Sequence, residues 1–445
     1  MKILFISLGC DKNLADSEEM LGLLTGNGHE IVDSEEEADA IVVNTCCFIH
    51  DAKEESVNTI LEMAEYKTSG SCKVLIVTGC MAQRYKEEII QEIPEVDAVL
   101  GTTSYGDIVK ALNEAQAGNV FQEFRDINDL PEDSGRRVIT TGGHFGYLKI
   151  AEGCDKHCTY CIIPSLRGKF RSVPEERLLK QAEYMASQGV KELILVAQET
   201  TVYGTDLYGK KTLHILLKKL CQIKGIRWIR ILYCYPEEIY DELIQVMKEE
   251  KKICHYLDLP IQHASDRILR RMGRRTSKAQ LVDIITKLRR EIPDIVLRTS
   301  LITGFPGETE EDHQELMEFV DEMEFDRLGV FTYSPEEGTP AETMEGQVPE
   351  ELKEERRDEI MELQQEISLE KGNDRIGQEL LVMIEGKVSG ESAYIGRTYG
   401  DAPKVDGYMF VQTGELLVTG DFAKVKVTGA LEYDLIGELA DEYAE

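Results

Sequence analysis

Cys154, Cys158 and Cys161 lie close together in the stretch AEGCDKHCTYCIIPSLRGKFR. Three thiolates spaced CxxxCxxC can hold three corners of a cubane 4Fe-4S cluster and leave the fourth iron without a protein ligand. An open iron can bind a small molecule. Zinc is the competing reading, but a closed zinc site takes four ligands and usually pairs them as CxxC or CxxC/HxxxH units. The further donor nearby is His157, which sits inside the triplet and reads as an ordinary polar side chain. The spacing therefore predicts iron and sulfur rather than zinc.

A second set of cysteines is dispersed. Cys10, Cys46 and Cys80 each follow directly on an apolar, β-branched run of strand length: Lys2 to Leu8, Ala40 to Asn44 and Lys73 to Thr78. Helical patterns intervene, one with Val57, Ile60, Leu61 and Ala64 at i, i+3, i+4 and i+7. Strands alternating with helices predict a parallel α/β sheet. Ligands gather beyond the carboxyl ends of such a sheet, where loops distant in sequence meet. Any one of these cysteines could be a small buried hydrophobe. All three at strand ends predict a second cluster, again with one free iron. Cys47 adjoins Cys46, and neighbours on an extended segment point to opposite sides, so one of the two faces the cluster. Cys72, Cys221, Cys234 and Cys254 lack ligand spacing and read as core residues.

These residues need elements to position them, and the chain divides accordingly. Residues 1–130 form the first α/β domain. Residues 131–144 are polar and turn-rich and read as a linker. Over residues 145–375 the βα rhythm repeats six times, with strands expected at Gly146 to Ala151, Glu192 to Ala197, Trp228 to Tyr233, Tyr256 to Leu259, Ile295 to Ile302 and Arg327 to Thr332. Six units fall short of the eight of a closed barrel, so a partial (βα)6 barrel with a lateral opening is expected, a shape suited to a large substrate. Its chemistry belongs in the loops at the strand carboxyl ends. The CxxxCxxC loop follows the first strand; Gln198-Glu199, Tyr233-Cys234-Tyr235, Gln262-His263, Gly304 to Glu308 and Tyr333-Ser334 follow the others. Gln198, Glu199, His263 and Arg298 are candidate contacts for a cofactor or substrate, although polar residues at strand ends also serve as caps. Arg167, Lys169 and Arg171 read as an anion-steering trio or simply as exposed side chains. The charged helix from Glu350 to Lys371 closes the barrel. Residues 376–445 switch to short alternating strands and predict a small antiparallel β-barrel, OB-like in size.

Composition sets limits on partners. In 445 residues, 83 Asp and Glu against 50 Lys and Arg leave a net charge of -33. So acidic a chain is a poor general binder of polyanions, and no direct nucleic-acid binding is expected. The last module alone carries 13 acidic against 5 basic residues, a sign that suits a basic protein surface. Eleven cysteines, an odd number, without a secretory signal point to reduced thiols or metal ligands. KILFISLG is apolar but too short to span a bilayer, and a cytoplasmic protein with no membrane partner is expected.

The same residues carry a resemblance. CxxxCxxC with an aromatic, Tyr160, just before the last cysteine resembles the radical S-adenosylmethionine (SAM) enzymes. In that family the open iron chelates the amino and carboxylate groups of SAM, and one-electron reduction releases a 5'-deoxyadenosyl radical. The GFPGE loop is similar to the family's glycine-bearing stretch near SAM, which adds Gly304 and Gly307 to Tyr160, Gln198, Glu199 and Arg298 as expected cofactor contacts. A tight turn would use the same glycines. NTCCF matches the family pattern NTCxF, which favours Cys46 over Cys47. GRTYGDAPKVDG, Gly396 to Gly407, resembles the TRAM module.

In this order the three parts resemble the radical SAM methylthiotransferase family over essentially the whole chain. SLGCDKNLADSE, LVAQETTVYGTDLYG, LPIQHASDRIL and VFTYSPEEGTPA are similar to the branch that modifies an aspartate of small-subunit ribosomal protein twelve. The tRNA-modifying branch shares the cysteines and GFPGET but reads differently around the first cysteine and after the second barrel strand. The resemblance implies two 4Fe-4S clusters, two SAM molecules and insertion of a methylthio group at an unactivated carbon. Such a C–H bond needs a cofactor-derived radical, and the electrons imply a flavodoxin or ferredoxin partner. Two rivals remain in view: a radical SAM enzyme with cobalamin in its first domain, for which no DxHxxG stretch is present, and a non-catalytic iron–sulfur carrier or ribosome-binding module.

Overall fold

The computed structural model describes residues 1–132 and 135–440; residues 133 and 134 of the expected linker and 441–445 of the expected last module lie outside the described residues. The apolar runs near the N-terminus form a sheet of six parallel strands, in the order Glu30–Val32, Lys2–Ser7, Ala40–Thr45, Val74–Gly79, Ala98–Leu100, Phe121–Glu123. Alternate residues of the central strands enter two separate cores, Ile41, Val43, Leu75 and Val77 on one face and Ala40, Val42, Val74 and Ile76 on the other. Burial on both faces explains why these strands read as unbroken apolar runs. Strand order reverses between Lys2–Ser7 and Ala40–Thr45, and the crevice beyond that switch point is where such sheets hold ligands.

A second sheet of six parallel strands follows in unbroken sequence order: Phe145–Lys149, Glu192–Val196, Trp228–Ile231, Ile253–Asp258, Val296–Thr303, Arg327–Thr332. The first and last strands do not pair, so the barrel is open. Leu193 and Leu195 face the outer helices, while Ile194 and Val196 face the concave side. The helix Glu350–Asn373 packs along the strand Arg327–Thr332. Its Gln364 amide donates to the Phe325 carbonyl at 2.8 Å.

The remaining strands close into a five-stranded barrel: Glu379–Lys387, Ala393–Arg397, Met409–Gln412, Leu435–Leu439, Phe422–Ala430. The sequence predicts an antiparallel barrel, but Met409–Gln412 and Leu435–Leu439 run parallel. An odd ring cannot alternate direction at every neighbour, so one like-directed pair is unavoidable. This barrel docks on the concave side of the open one. Met383, Ala402 and Phe422 pack with Tyr147, Trp228 and Tyr256, and Glu192 is held between Arg230 and Arg397, each at 2.7 Å. The site is thereby confined to the carboxyl end.

Candidate active site

Cys10, Cys46 and Cys80 stand at the carboxyl ends of three neighbouring strands, Lys2–Ser7, Ala40–Thr45 and Val74–Gly79. Cys10 caps the helix Asp11–Gly26, and Cys80 opens the helix Cys80–Tyr85. Gly9 has φ +84°, and a Cβ there would lie 2.6 Å from the Cys46 Cβ. The first loop can therefore touch the second only because residue 9 lacks a side chain. Cys46 and Cys80 are buried and Cys10 is exposed. Burial pushes the Cys46 thiol up to about 12, and repulsion from Cys80 and Cys10 adds to it, so the three sulfurs share one locality. Cys47 packs with Ile60, Met63 and Ala82 in an apolar core that also includes Cys80, and burial, with repulsion from Cys80 and Cys46, pushes its thiol up to about 12 as well.

Cys154, Cys158 and Cys161 occupy the loop after the first strand of the open barrel, braced by the short pair Ala151–Glu152 and Arg171–Ser172. Gly153 at φ +78° lets the loop cross close over the Gly168 and Lys169 carbonyls. Cys154 N–H donates to the Gly168 carbonyl at 3.0 Å. Burial raises the Cys154 thiol to about 11 and the Cys161 thiol to about 12, and the neighbouring thiols push in the same direction. His157, inside the loop, is exposed. Among the described residues, no three His, Cys, Asp or Glu side chains converge tightly enough to share a single metal ion. A cubane asks for less convergence, because each thiolate meets its own iron. Three cysteines in each set, two of them buried, suit a cluster with one open corner.

A buried polar network joins the two sets. Arg167 ends the helix Ile163–Arg167, just past Cys161. Its Nη2 donates to the Cys80 Sγ at 3.5 Å and to Asn13, and its Nη1 donates to Asp16 at 2.8 Å and to Glu152 at 3.3 Å. Lys149 bridges the same two carboxylates, meeting Glu152 at 2.7 Å. Burial works against the Glu152 carboxylate, yet Lys149 and Arg167 hold it down at about 2. Arg167 is therefore not the exposed side chain that the trio suggested; of the three only Lys169 is fully exposed.

The expected cofactor contacts distribute unevenly. Gln198 donates to Glu152 at 3.1 Å, and its Oε1 is buried without a partner. Glu199 is 1 % exposed. Its Oε1 accepts from Thr201, while its Oε2 is buried and unpartnered. Burial raises its carboxyl to about 7. Each of these orphaned acceptors, one on Gln198 and one on Glu199, fits a cationic or N–H-bearing ligand. Tyr160 stacks edge-to-face on Phe305, centroids 6.3 Å apart, and Phe305 on Tyr333 at 5.3 Å. Gly304 and Gly307, at φ +68° and +83°, form the tight strand-to-helix turn and lie against Lys353 and Arg271. Arg298 faces the concave side, paired with Asp258 at 2.7 Å and with Asp406 of the terminal barrel at 3.5 Å. His263 lies beneath the glycine turn, 3.4 Å from Glu308.

The sequence placed Tyr235 in a loop at a strand carboxyl end without giving it a role, and did not single out Arg274. The Tyr235 hydroxyl lies 3.5 Å from the Cys158 Sγ, with the Arg274 guanidinium 4.2 Å above the Tyr235 ring. The Nε and Nη1 of Arg274 are buried without partners. Asn13 and Asp16 were quoted only within a motif. Polar residues at i, i+3 and i+4 (Asn13, Asp16, Ser17) on a helix otherwise carrying Leu14, Met20, Leu21 and Leu24 were the available signal of a buried polar stripe.

Comparison with known proteins bears on this geometry. Residues 2–101 match a family described as Uncharacterized protein family UPF0004, residues 148–320 the Radical SAM superfamily and residues 376–440 the TRAM domain. Among solved structures, the radical SAM methyltransferase TsrM from Kitasatospora setae, with cobalamin and a [4Fe-4S] cluster bound, aligns with a TM-score of 0.55 at 12% identity, over 76% of this chain and 73% of that one. That likeness concerns the fold alone. A ribosomal protein uS12 methylthiotransferase RimO from Lachnoclostridium phytofermentans is 65% identical over 98% of this chain and 99% of its own length. One from Clostridium perfringens is 52% identical over 99% and 98%. With both cysteine sets, the three-part architecture and full-length identity at this level, the chain belongs to the RimO family of radical SAM methylthiotransferases.

Proposed function

We propose that this enzyme inserts a methylthio group at the β-carbon of an aspartate of small-subunit ribosomal protein twelve, using two 4Fe-4S clusters and two SAM molecules. The full-length identity to the uS12 methylthiotransferases carries the reading. Cys154, Cys158 and Cys161 would hold one cluster and Cys10, Cys46 and Cys80 the other. When bound, these groups supply the hydrogen-abstracting radical and the sulfur. The protein's own task is to hold, orient and exclude water. The buried thiols must shed protons to bind iron, so loading releases acid and is favoured by rising pH. Gln198 and Glu199 present two unpartnered acceptors beside the CxxxCxxC loop, suited to the ammonium of SAM. A nearby cation would draw the Glu199 carboxyl down from about 7 into its charged form. Tyr160, Phe305 and Tyr333 wall the loop with aromatic surface, the Gly304–Gly307 turn flanks it, and Arg298 lies on the concave face.

The division of labour follows the expected domains: 1–130 for the sulfur-bearing cluster, 145–375 for the radical and 376–445 for substrate capture, with 131–144 between them. The -33 charge and the acidic terminal barrel support a basic protein substrate. No helix among the described residues is long and apolar enough to cross a membrane. In this reading the enzyme works in the cytoplasm with a flavodoxin or ferredoxin as reductant. The test is an anaerobic reaction of reduced, reconstituted enzyme with SAM, offered ribosomal protein twelve in one tube and tRNA in another and read by mass spectrometry. A methylthio adduct on the protein's aspartate is expected. An adduct on tRNA alone would overturn the substrate assignment, and deoxyadenosine without any adduct would overturn the reaction.

A further inference from the structure

Arg167 ends the helix just past Cys161 but makes its sulfur contact with the other cysteine set. Its side chain is 2 % exposed. One arm of its guanidinium is fixed by Asp16 and Glu152, at 2.8 and 3.3 Å. The second arm is thereby aimed at Asn13 and at the Cys80 Sγ, 3.5 Å away. Arginine's planar fork makes this two-sided grip possible, which a lysine's single ammonium cannot reproduce. An N–H donated to a ligand sulfur withdraws electron density from an iron–sulfur cluster and favours its reduced form.

We propose that Arg167 is a positioning residue that sets the reduction potential of the cluster on Cys10, Cys46 and Cys80 from the loop that carries the other cluster's ligands. The inference rests on the two-cluster reading above. It gives the sulfur-bearing cluster a charge-assisted donor that arrives only when the two halves of the molecule are docked. Loosening of the interface would withdraw the Arg167 donor from Cys80 and lower that cluster's potential. Glu152 extends the chain of contacts to Gln198 at 3.1 Å, so the same network reaches the candidate SAM pocket.

The test is a redox titration of the full-length reconstituted protein, followed by electron paramagnetic resonance. The signal of the second cluster is identified as the one that persists when Cys154, Cys158 and Cys161 are all alanine. Arg167→Lys retains a cation opposite Asp16 and Glu152 but loses the donor to Cys80. The expected result is unchanged iron content, a lower midpoint for that signal alone and a ratio of methylthio product to deoxyadenosine reduced by about tenfold or more. Arg167→Gln, which retains N–H donors without the charge, is expected to lower the midpoint as well. An unchanged midpoint in Arg167→Lys would overturn the proposal, as would an equal shift of both signals or loss of half the iron, each of which marks a purely structural role. If the triple-alanine protein holds no cubane, the two-cluster reading itself fails.

Discussion

The two cysteine sets reach similar ends by opposite routes. Cys154, Cys158 and Cys161 share one loop, and their mutual distances are limited by a few residues of chain. Cys10, Cys46 and Cys80 form a set only because the strands Lys2–Ser7, Ala40–Thr45 and Val74–Gly79 lie side by side. The first is a property of local sequence and the second of topology. The difference extends to what stands beside them. The loop set lies near Glu199, whose second oxygen has no partner, whereas the topological set faces the Arg167 guanidinium, whose two terminal nitrogens both donate. One region keeps a buried carboxylate oxygen without a partner. The other is locked to its neighbour.

That contrast predicts separable losses. Cys154→Ala abolishes deoxyadenosine formation, whereas Cys46→Ala leaves some SAM cleavage but no sulfur insertion; product analysis by mass spectrometry distinguishes them. Cys47→Ala, in the apolar core, costs about 1 kcal/mol and keeps sulfur insertion. If Cys47→Ala lost insertion and Cys46→Ala kept it, the topological set would have to be redrawn around Cys47.

The junction between the sets is the next point at which to strain the comparison. Asp16→Asn leaves Arg167 and Lys149 buried with one carboxylate fewer, a cost of about 3–5 kcal/mol measurable by denaturant unfolding of the iron-free protein. A loss under about 1 kcal/mol would mean that the two halves are not locked through this network.

Glu199 offers a pH test of the region around the CxxxCxxC loop. Its carboxyl is raised by burial to about 7, so the folded state favours the protonated form. The stability this carries is complete below the unfolded carboxylate range and is lost as pH rises through about 7. Glu199→Gln should therefore stabilise the iron-free protein by on the order of 3 kcal/mol near pH 8 and by less than about 1 kcal/mol near pH 5. Equal effects at both pH values would show that the carboxyl is already ionised. The smallest effect belongs to His157→Ala. As an exposed residue it should change stability by no more than about 0.5 kcal/mol and leave the iron content untouched; loss of metal would revive a zinc-type ligand set.

The sequence revealed what is periodic and what is local. Five of the six open-barrel strands were placed within a residue or two of their ends, because their apolar runs are long and their loops carry glycine and polar residues. The strand Ile253–Asp258 begins earlier than Tyr256, since His255 interrupts its apolar pattern. In the first sheet Glu30–Val32, Ala98–Leu100 and Phe121–Glu123 went unseen, each only three residues long and too short to show a period. The CxxxCxxC loop needed nothing beyond its spacing. The polar junction did not announce itself, because Asn13, Asp16, Glu152 and Arg167 become one network only when separate segments fold together. Arg274 was missed and Tyr235, though placed in a strand-end loop, was given no role for the same reason: each sits on its own loop, and only the open barrel brings them together beside Cys158.

The most direct test of the account is iron and sulfide analysis, with Mössbauer spectroscopy, on three reconstituted proteins: the unaltered chain, the Cys10/Cys46/Cys80 triple-alanine variant and the Cys154/Cys158/Cys161 triple-alanine variant. Two independent sites predict that each triple variant retains half the iron of the unaltered chain, still as a cubane. If either variant lost all of its iron, or the unaltered chain held only one cubane's worth, the claim of two separately built cluster sites would be contradicted.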